Sequence, residues 1–351
     1  MSADTIRVGF IGAGSICRSM HLPGLAAIDG VEVAAVANRS RESAQAVAGE
    51  FGIADVEDDW QALLARDDID AVFIGTWPYR HKEFSVATLE AGKHCFCQAR
   101  MAMNLQEAKV MLAAAEARPT LVNMLSPARP KFEHYIAGLV KDGRLGEITS
   151  VELVVIGDGN RDRNSVHWRE RRDLSGNQIM AIGIYSEMLN GVVGTYDQLS
   201  AQVSTPIADK KDESGQTLKI EVPQVVVVSG RLQSGTLAVE HHSGLNADAT
   251  SGTSSLTIRG LDGTLRYDLA DKLEIGGPGQ PLAQVEVPPE HHGGWDAETD
   301  FIAAVRAARE GRPPEQRKVR PDFAEGMLYM RKMEAVHLSA ASGQAVDPGA
   351  L

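Results

Sequence analysis

Two short stretches hold residues whose types and spacing bear on chemistry. GKHCFCQARMAMN (92–104) sets Gln98, Ala99 and Arg100 after an apolar run, and IMAIGIYSE (179–187) carries Ala181, Gly183 and Tyr185. Four residues make about one helical turn, so Tyr185 shares a helix face with Ala181. Its phenol can exchange a proton, but an ordinary pKa near 10 makes it a poor base unless a cation or dipole lowers it. HWRERRD (167–173) adds Trp168 for stacking, Arg169 for donating and His167 as a proton carrier, a set suited to a sugar-like ligand. The competing structural readings are a core tyrosine with a satisfied hydroxyl and a solvated arginine-rich loop. Arg100 stays protonated and cannot be a base. It can bind a phosphate or carboxylate, and a solvated or salt-bridged role is the alternative. If the strand runs past Cys97, Cys97 and Ala99 share one face and Gln98 and Arg100 the other.

A second kind of chemistry is anion binding by backbone. GFIGAGSIC (9–17) follows an apolar run and opens a helical pattern. Gly12 permits a tight turn, and Gly14 lets a pyrophosphate approach the helix N-terminus, where N–H groups and the dipole favour anions. The third fingerprint position holds Cys17 instead of glycine, which leaves an ordinary Gly-rich turn as the alternative. At the end of the second strand, where a ribose 2′-hydroxyl is usually held by Asp or Glu, the chain reads Asn38, Arg39 and Ser40. No acid is present and Arg39 offers a forked donor, so NADP(H) is expected over NAD(H). The alternative is a solvated Arg39 at a helix start.

These groups need elements to position them. From residue 5 to about 124, strand-like runs (5–12, 31–38, 71–76, 94–97, 120–125) alternate with segments of helical period, a repeated βαβ pattern that implies a doubly wound parallel sheet. Beyond about 126, strand-like runs at 147–158, 198–206, 218–230, 235–244, 253–260, 263–270 and 272–277 are separated by turn residues. Helical pieces at 130–142 and 177–193 precede most of them, and helices over 297–310 and 323–343 close the chain. That predicts an α+β domain with a large, mostly antiparallel sheet.

Composition narrows the partners. The 351 residues are 43% hydrophobic and 23% charged, as in a globular protein of two ordinary domains. A formal net charge of -12 repels a phosphate backbone, which disfavours nucleic acid and leaves a small molecule as the expected partner. Runs such as QVVVV (224–228) are far shorter than the roughly 20 residues that span a bilayer. MSADTIRVGFIGAGSI has no cationic segment or cleavage site, so a cytoplasmic protein is expected. Cys17, Cys95 and Cys97 supply no disulfide framework and read as buried, inert thiols. The adjacent pairs His241–His242 and His291–His292 face opposite ways on a strand, so no metal site is expected and they are read as lining the open sheet face.

With these pieces in place, the chain resembles the Gfo/Idh/MocA oxidoreductase family over nearly all of residues 5–347. The resemblance rests on GAGSI followed by HLPGL, on TWPYRHKEF, AGKH, GRLGEI, HWRE and IGIY, and on a tail ending SAASGQAV. It implies a Rossmann-type dinucleotide-binding domain over 1–125 and an α+β substrate-binding and oligomerisation domain over 126–351, assembled as a homodimer or homotetramer. It implies cofactor contacts from Gly12, Gly14, Ser15, Ile16, Thr76, Trp77, Pro78, His81 and Gln98, beside Asn38, Arg39 and Ser40. Substrate contacts fall to Ala99, Arg100, Trp168, Arg169, Ala181 and Tyr185, and acid/base work to Tyr185 with His167. The family typically has Glu-Lys-Pro where this chain has Gln98, Ala99 and Arg100, and an Asp where it has Ala181. A lysine and an acid in one buried site stabilise each other, and removing one alone costs about 3–5 kcal/mol, so their joint loss avoids an unpaired charge. An oxidoreductase acting on a hydroxyl or carbonyl of a sugar, polyol, cyclitol or similar ring is the leading expectation. A repurposed lyase, hydratase or glycoside-cleaving enzyme, and a non-catalytic nucleotide or sugar binder, stay open.

Overall fold

The computed structural model describes residues 5–128, 130–248 and 254–351, so the opening residue of the strand expected at 253–260 lies outside the described residues. The chain forms two compact units. Unit 1 comprises Met1–Pro127 and Asp296–Met327, and unit 2 comprises Ala128–Trp295 and Leu328–Leu351. The first break follows Pro127, and the tail is divided between the two units.

In unit 1, strands β1 (Ile6–Ile11), β2 (Val31–Ala37), β3 (Asp55–Val56), β4 (Ala71–Ile74), β5 (His94–Cys97) and β6 (Asn123–Leu125) form one parallel sheet in the order β3-β2-β1-β4-β5-β6. This is the order of a dinucleotide-binding Rossmann sheet. The helices are α1 (Leu22–Ala26), α2 (Arg41–Phe51), α3 (Trp60–Leu64), α4 (His81–Glu90) and α5 (Leu105–Glu116). Their starts are written in the sequence: Ser40, Asp59 and Asn104 cap α2, α3 and α5 by accepting from backbone N–H groups three residues on. Register sets Phe10 beside Phe73 and Phe73 beside Phe96, and these rings stack at centroid distances of 5.2 and 4.4 Å.

Unit 2 begins with α6 (Glu133–Lys141), β7 (Ile148–Ile156), α7 (Arg172–Ser175) and α8 (Ile182–Val193). There follow β8 (Tyr196–Ser204), the hairpin β9 (Asp209–Lys211) and β10 (Thr217–Lys219), β11 (Val225–Leu232) and β12 (Leu237–Ser243). Strands β13 (Ser255–Gly260), β14 (Thr264–Asp268), β15 (Lys272–Gly276) and β16 (Ala283–Gln284) complete an eight-stranded sheet, ordered β16-β15-β14-β13-β7-β12-β11-β8. Only β7 and β12 pair in parallel among its described strands. Alternation is plain on β12, where Ala238, Glu240 and His242 are buried while Leu237 and Val239 are exposed. The buried face shares a core with Ile136 of α6, Ile182 and Leu189 of α8, and Met333 and Val336 further on. The other face is open and carries exposed Val203, Val227 and Val239.

The chain then supplies α9 (Ala297–Arg309) to unit 1, and the long helix α10 (Phe323–Ser342) contributes residues to unit 1 up to Met327 and to unit 2 from Leu328. Phe301 of α9 meets Phe73 and Phe96 edge-on, at 5.3 and 5.5 Å, which explains why this part of the tail joins the first sheet.

Candidate functional site

The Gly-rich turn leaves β1 as the fingerprint predicts. Gly12 has φ +80°, and a Cβ there would collide with the Thr76 methyl group, so the turn admits only glycine. Gly12 N–H donates to Ala37 O at 2.9 Å, and Ala13 N–H donates to Asn38 Oδ1 at 2.8 Å, which ties the turn to the end of β2. Gly14 differs: its φ is ordinary, and a Cβ there would meet no protein atom closer than 3.9 Å. Protein packing leaves that space open, and a close-lying pyrophosphate is what would fill it. Residues 15–26 are helical, with a π-helical turn over Cys17–His21, and Ser15 and Ile16 are exposed at its start. Cys17 fits the third position by packing its sulfur against Gly75, where a Cβ would strike it. Burial pushes the Cys17 and Cys95 thiols up to about 12 and raises the Cys97 thiol well above its ordinary value, which leaves all three inert.

Around this turn stand the other expected cofactor residues. Arg39 is exposed at the end of β2 and has no ion-pair partner among the described residues, while Ser40 caps α2. Thr76 Oγ1 is buried without a hydrogen-bond partner, Trp77 is 39% exposed, and Pro78 begins a short 3-10 turn. His81 is wholly buried, with Nε2 2.8 Å from Thr76 O and Nδ1 2.9 Å from Arg100 O, so it braces the loop and does not face a ligand. Burial lowers the His81 pKa, and the backbone carbonyls of Thr76 and Arg100 oppose that shift. The Gln98 amide nitrogen donates to His21, whose other ring nitrogen bonds Glu298 of α9, all within the buried interior of unit 1. Arg100 is 2% exposed, which rules out the solvated alternative, and β5 ends at Cys97, so strand alternation does not extend to Ala99 and Arg100. The residues present fit a dinucleotide: an unfilled approach at Gly14, an unpartnered hydroxyl at Thr76 and a forked cation at Arg39.

Unit 2 holds a cavity of about 400 Å³. Ala181, Tyr185, His167 and Arg169 all line it, together with Asn160 and His242. Ala181 precedes α8, and Tyr185 N–H donates to its carbonyl at 3.1 Å, the one-turn relation that the spacing predicts. The Tyr185 hydroxyl has no hydrogen-bond partner among the described residues, so the satisfied-core reading of this tyrosine does not hold. Burial raises its pKa, so the phenol enters the cavity protonated. Trp168 is not among the lining residues; it stacks beneath the Arg169 guanidinium at 4.4 Å. His167 caps the turn Trp168–Glu170, its Nδ1 accepting from Arg169 N–H at 3.2 Å.

That turn is pinned from below. Glu170 accepts from Lys210 of β9 at 2.8 Å, from Gln224 at 3.3 Å and from His167 N–H at 3.2 Å, and the Lys210 and Glu170 side chains are 0% and 1% exposed. A loop for which solvated surface was the competing reading is thus anchored by a buried ion pair. His242 was expected on the open sheet face and instead lies on the covered face, at 1% exposure. Its Nε2 is 2.9 Å from Glu240, which also accepts from Lys332 of α10 and, at 2.9 Å, from the Tyr196 hydroxyl. The signal was the period of two in AVEHH, which sets Ala238, Glu240 and His242 on one side. Among the described residues, no three His, Cys, Asp or Glu side chains cluster as metal ligands, and no helix is long and apolar enough to cross a membrane.

Comparison with known proteins agrees with this geometry. Residues 6–125 match the oxidoreductase family with an NAD-binding Rossmann fold, and residues 134–266 match the GFO/IDH/MocA C-terminal domain. Levoglucosan dehydrogenase of Pseudarthrobacter phenanthrenivorans is 26% identical, covering 89% of this chain and 88% of its own length. The 1,5-anhydro-D-fructose reductase of Ensifer adhaerens is 27% identical, covering 88% of this chain and 98% of its own. A solved levoglucosan dehydrogenase in complex with NADH and L-sorbose superposes with a TM-score of 0.86 over 98% of both chains at 22% identity, a likeness of fold. From the matched residues and the shared fold, the chain belongs to the Gfo/Idh/MocA family of NAD-binding oxidoreductases.

Proposed function

We propose that the protein is an NADP(H)-dependent oxidoreductase acting on a hydroxyl or carbonyl of a sugar, polyol, cyclitol or similar ring, with Tyr185 as the acid/base group. The observation that carries this reading is the cavity of about 400 Å³ in which an unpartnered phenol, the Arg169 guanidinium and two imidazoles converge. A few polar groups in a concave wall suit a hydroxylated ring. Relatives named for levoglucosan and 1,5-anhydro-D-fructose support the carbohydrate class.

The nicotinamide, when bound, accepts or returns the hydride. The Gly12–Ile16 backbone holds the pyrophosphate, and Thr76, Trp77, Pro78 and Gln98 continue the site. Arg39 with Asn38 and Ser40 takes the adenosine end; a forked cation with no neighbouring acid favours a 2′-phosphate. The NADH in the solved relative makes NAD(H) the rival. Arg169 orients ring hydroxyls, and burial, which lowers its pKa without unseating its charge, sharpens that contact. His167 holds the Trp168–Arg169 turn and lines the cavity as a second polar contact. Assembly as a homodimer or homotetramer in the cytoplasm completes the reading.

Fluorescence titration with NADPH and NADH tests the cofactor: NADPH binds more tightly, and Arg39→Asp removes that preference. Equal affinities before and after the change reject the role of Arg39. Screening sugars and cyclic alcohols by reduced-nicotinamide absorbance tests the reaction, and undiminished turnover by Tyr185→Phe rejects Tyr185. Ala99 and Ala181, where the family typically has a lysine and an acid, favour a second reading, a lyase, hydratase or glycoside-cleaving enzyme on the same scaffold. Product formation with no net change in nicotinamide absorbance would identify it.

A further inference from the structure

Tyr185 poses a problem that its surroundings answer. A buried, protonated phenol can donate to a carbonyl oxygen, but to take a proton from a hydroxyl it must pass its own onward. The ring facing it in the cavity is His242, at a centroid distance of 6.3 Å. The Nε2 of that ring is engaged by Glu240 at 2.9 Å, and the ring has no other hydrogen-bond partner among the described residues. A carboxylate fixed on one ring nitrogen sets the tautomer, leaving Nδ1 with a free lone pair on a ring that lines the cavity.

We propose that His242 is the proton acceptor behind Tyr185, standing in for the missing lysine, with Glu240 and Lys332 holding its tautomer and orientation. The inference rests on the oxidoreductase reading above. In the oxidation direction the substrate carbon gives up a hydride, with its electron pair, to the nicotinamide. The hydroxyl O–H bond breaks towards Tyr185 Oη while the phenol proton forms a new bond to Nδ1 of His242. The resulting imidazolium is stabilised by Glu240 and releases its proton to water.

The surrounding charges suit this role. Burial alone would raise the Glu240 carboxyl, but Lys332 and His242 outweigh it and keep it ionised, below the usual carboxylate range. Burial lowers the His242 pKa, while Glu240 pulls it upward and Lys332 and His241 oppose that pull. The Tyr196 phenol, raised by burial and by Glu240, stays neutral. His242 is therefore an unprotonated acceptor at neutral pH. Activity should fall as pH drops through an imidazole pKa below the ordinary 6.5.

Nitrogen-15 NMR of histidine-labelled full-length protein tests the tautomer without any substrate. A His242 proton on Nε2 and a bare Nδ1 are expected; a proton on Nδ1 overturns the relay, whether or not a substrate is known. With a sugar or cyclic alcohol that the wild type turns over, His242→Asn should lower kcat about 10²-fold or more with a smaller change in KM, and should abolish the acid limb of the pH profile. Because the two groups act in series, Tyr185→Phe with His242→Asn should be no slower than the slower single variant. Multiplicative losses, or a retained acid limb in His242→Asn, overturn the proposal. His241→Ala, on the opposite strand face, should leave kcat unchanged. If no hydroxylated ring is oxidised by the wild type with either cofactor, the oxidoreductase reading fails, a result distinct from a wrong tautomer.

Discussion

Gly12 and Gly14 stand two residues apart in one turn, and only the first is needed by the protein itself. Gly12 has a positive φ and abuts Thr76, whereas Gly14 has neither constraint. Gly12→Ala should therefore destabilise the protein by about 1–3 kcal/mol. Gly14→Val should leave the melting temperature nearly unchanged while abolishing NADPH and NADH binding. Thermal denaturation beside fluorescence titration checks both, and a Gly14→Val variant that still binds cofactor would remove the pyrophosphate from this turn. At this scale the sequence was legible where spacing alone decides geometry. Tyr185 stacks over Ala181 because four residues make a helical turn, and Gly12 was readable from the turn it must make. The face of His242 was legible in a period of two, but its setting was not, because Lys332, which pairs with its neighbour Glu240, lies about ninety residues away and no local pattern announces a fold that brings them together. The burial of Arg100 was not legible for a related reason: a long charged side chain leaves binding, salt-bridged and solvated roles open, and only tertiary structure shows it to be 2% exposed.

At the scale of elements, Glu240 ties β12 to α10 through Lys332 and to β8 through Tyr196. Lys332→Met leaves a buried carboxylate short of its cation and should destabilise the protein by about 3–5 kcal/mol at pH 7. The pH dependence has a definite sign. The Glu240 pKa is depressed in the folded state, so its contribution is complete above the ordinary value of 4.5 and is lost as pH falls through the folded value. In the variant the carboxyl can take a proton more readily, so the stability gap between variant and wild type should narrow from pH 7 to pH 4, as read by urea denaturation. A gap that widens on acidification would show that Lys332 does not stabilise the carboxylate. Most elements were readable from periodicity and caps, β5 (94–97) to the residue. The strands that escaped, β3, β9 and β16, are two or three residues long, too short to carry a period.

For the molecule as a whole, the unexpected feature is that unit 1 is built from two distant pieces of chain. Sequence shows that α9 is amphipathic but cannot say which core it covers; Phe301 against Phe73 and Phe96, and Glu298 beneath His21, supply the answer. A fragment ending at residue 127 would leave those rings uncovered and His21 without its carboxylate. Expressed alone it should be poorly soluble and bind NADPH weakly, whereas joining 296–327 to it through a flexible linker should restore a cooperative melting transition and binding. Equal behaviour of the two fragments would show that α9 is dispensable to the sheet.

The same discontinuity carries a consequence for biosynthesis. Residues 128–295 must be made before α9 exists, and at about 5–20 residues per second that is a delay on the order of ten to thirty seconds. The unit whose first piece leaves the ribosome first is therefore completed only after most of the other has been made. Its nucleotide turn acquires full support only after the cavity-bearing unit has had time to form its sheet.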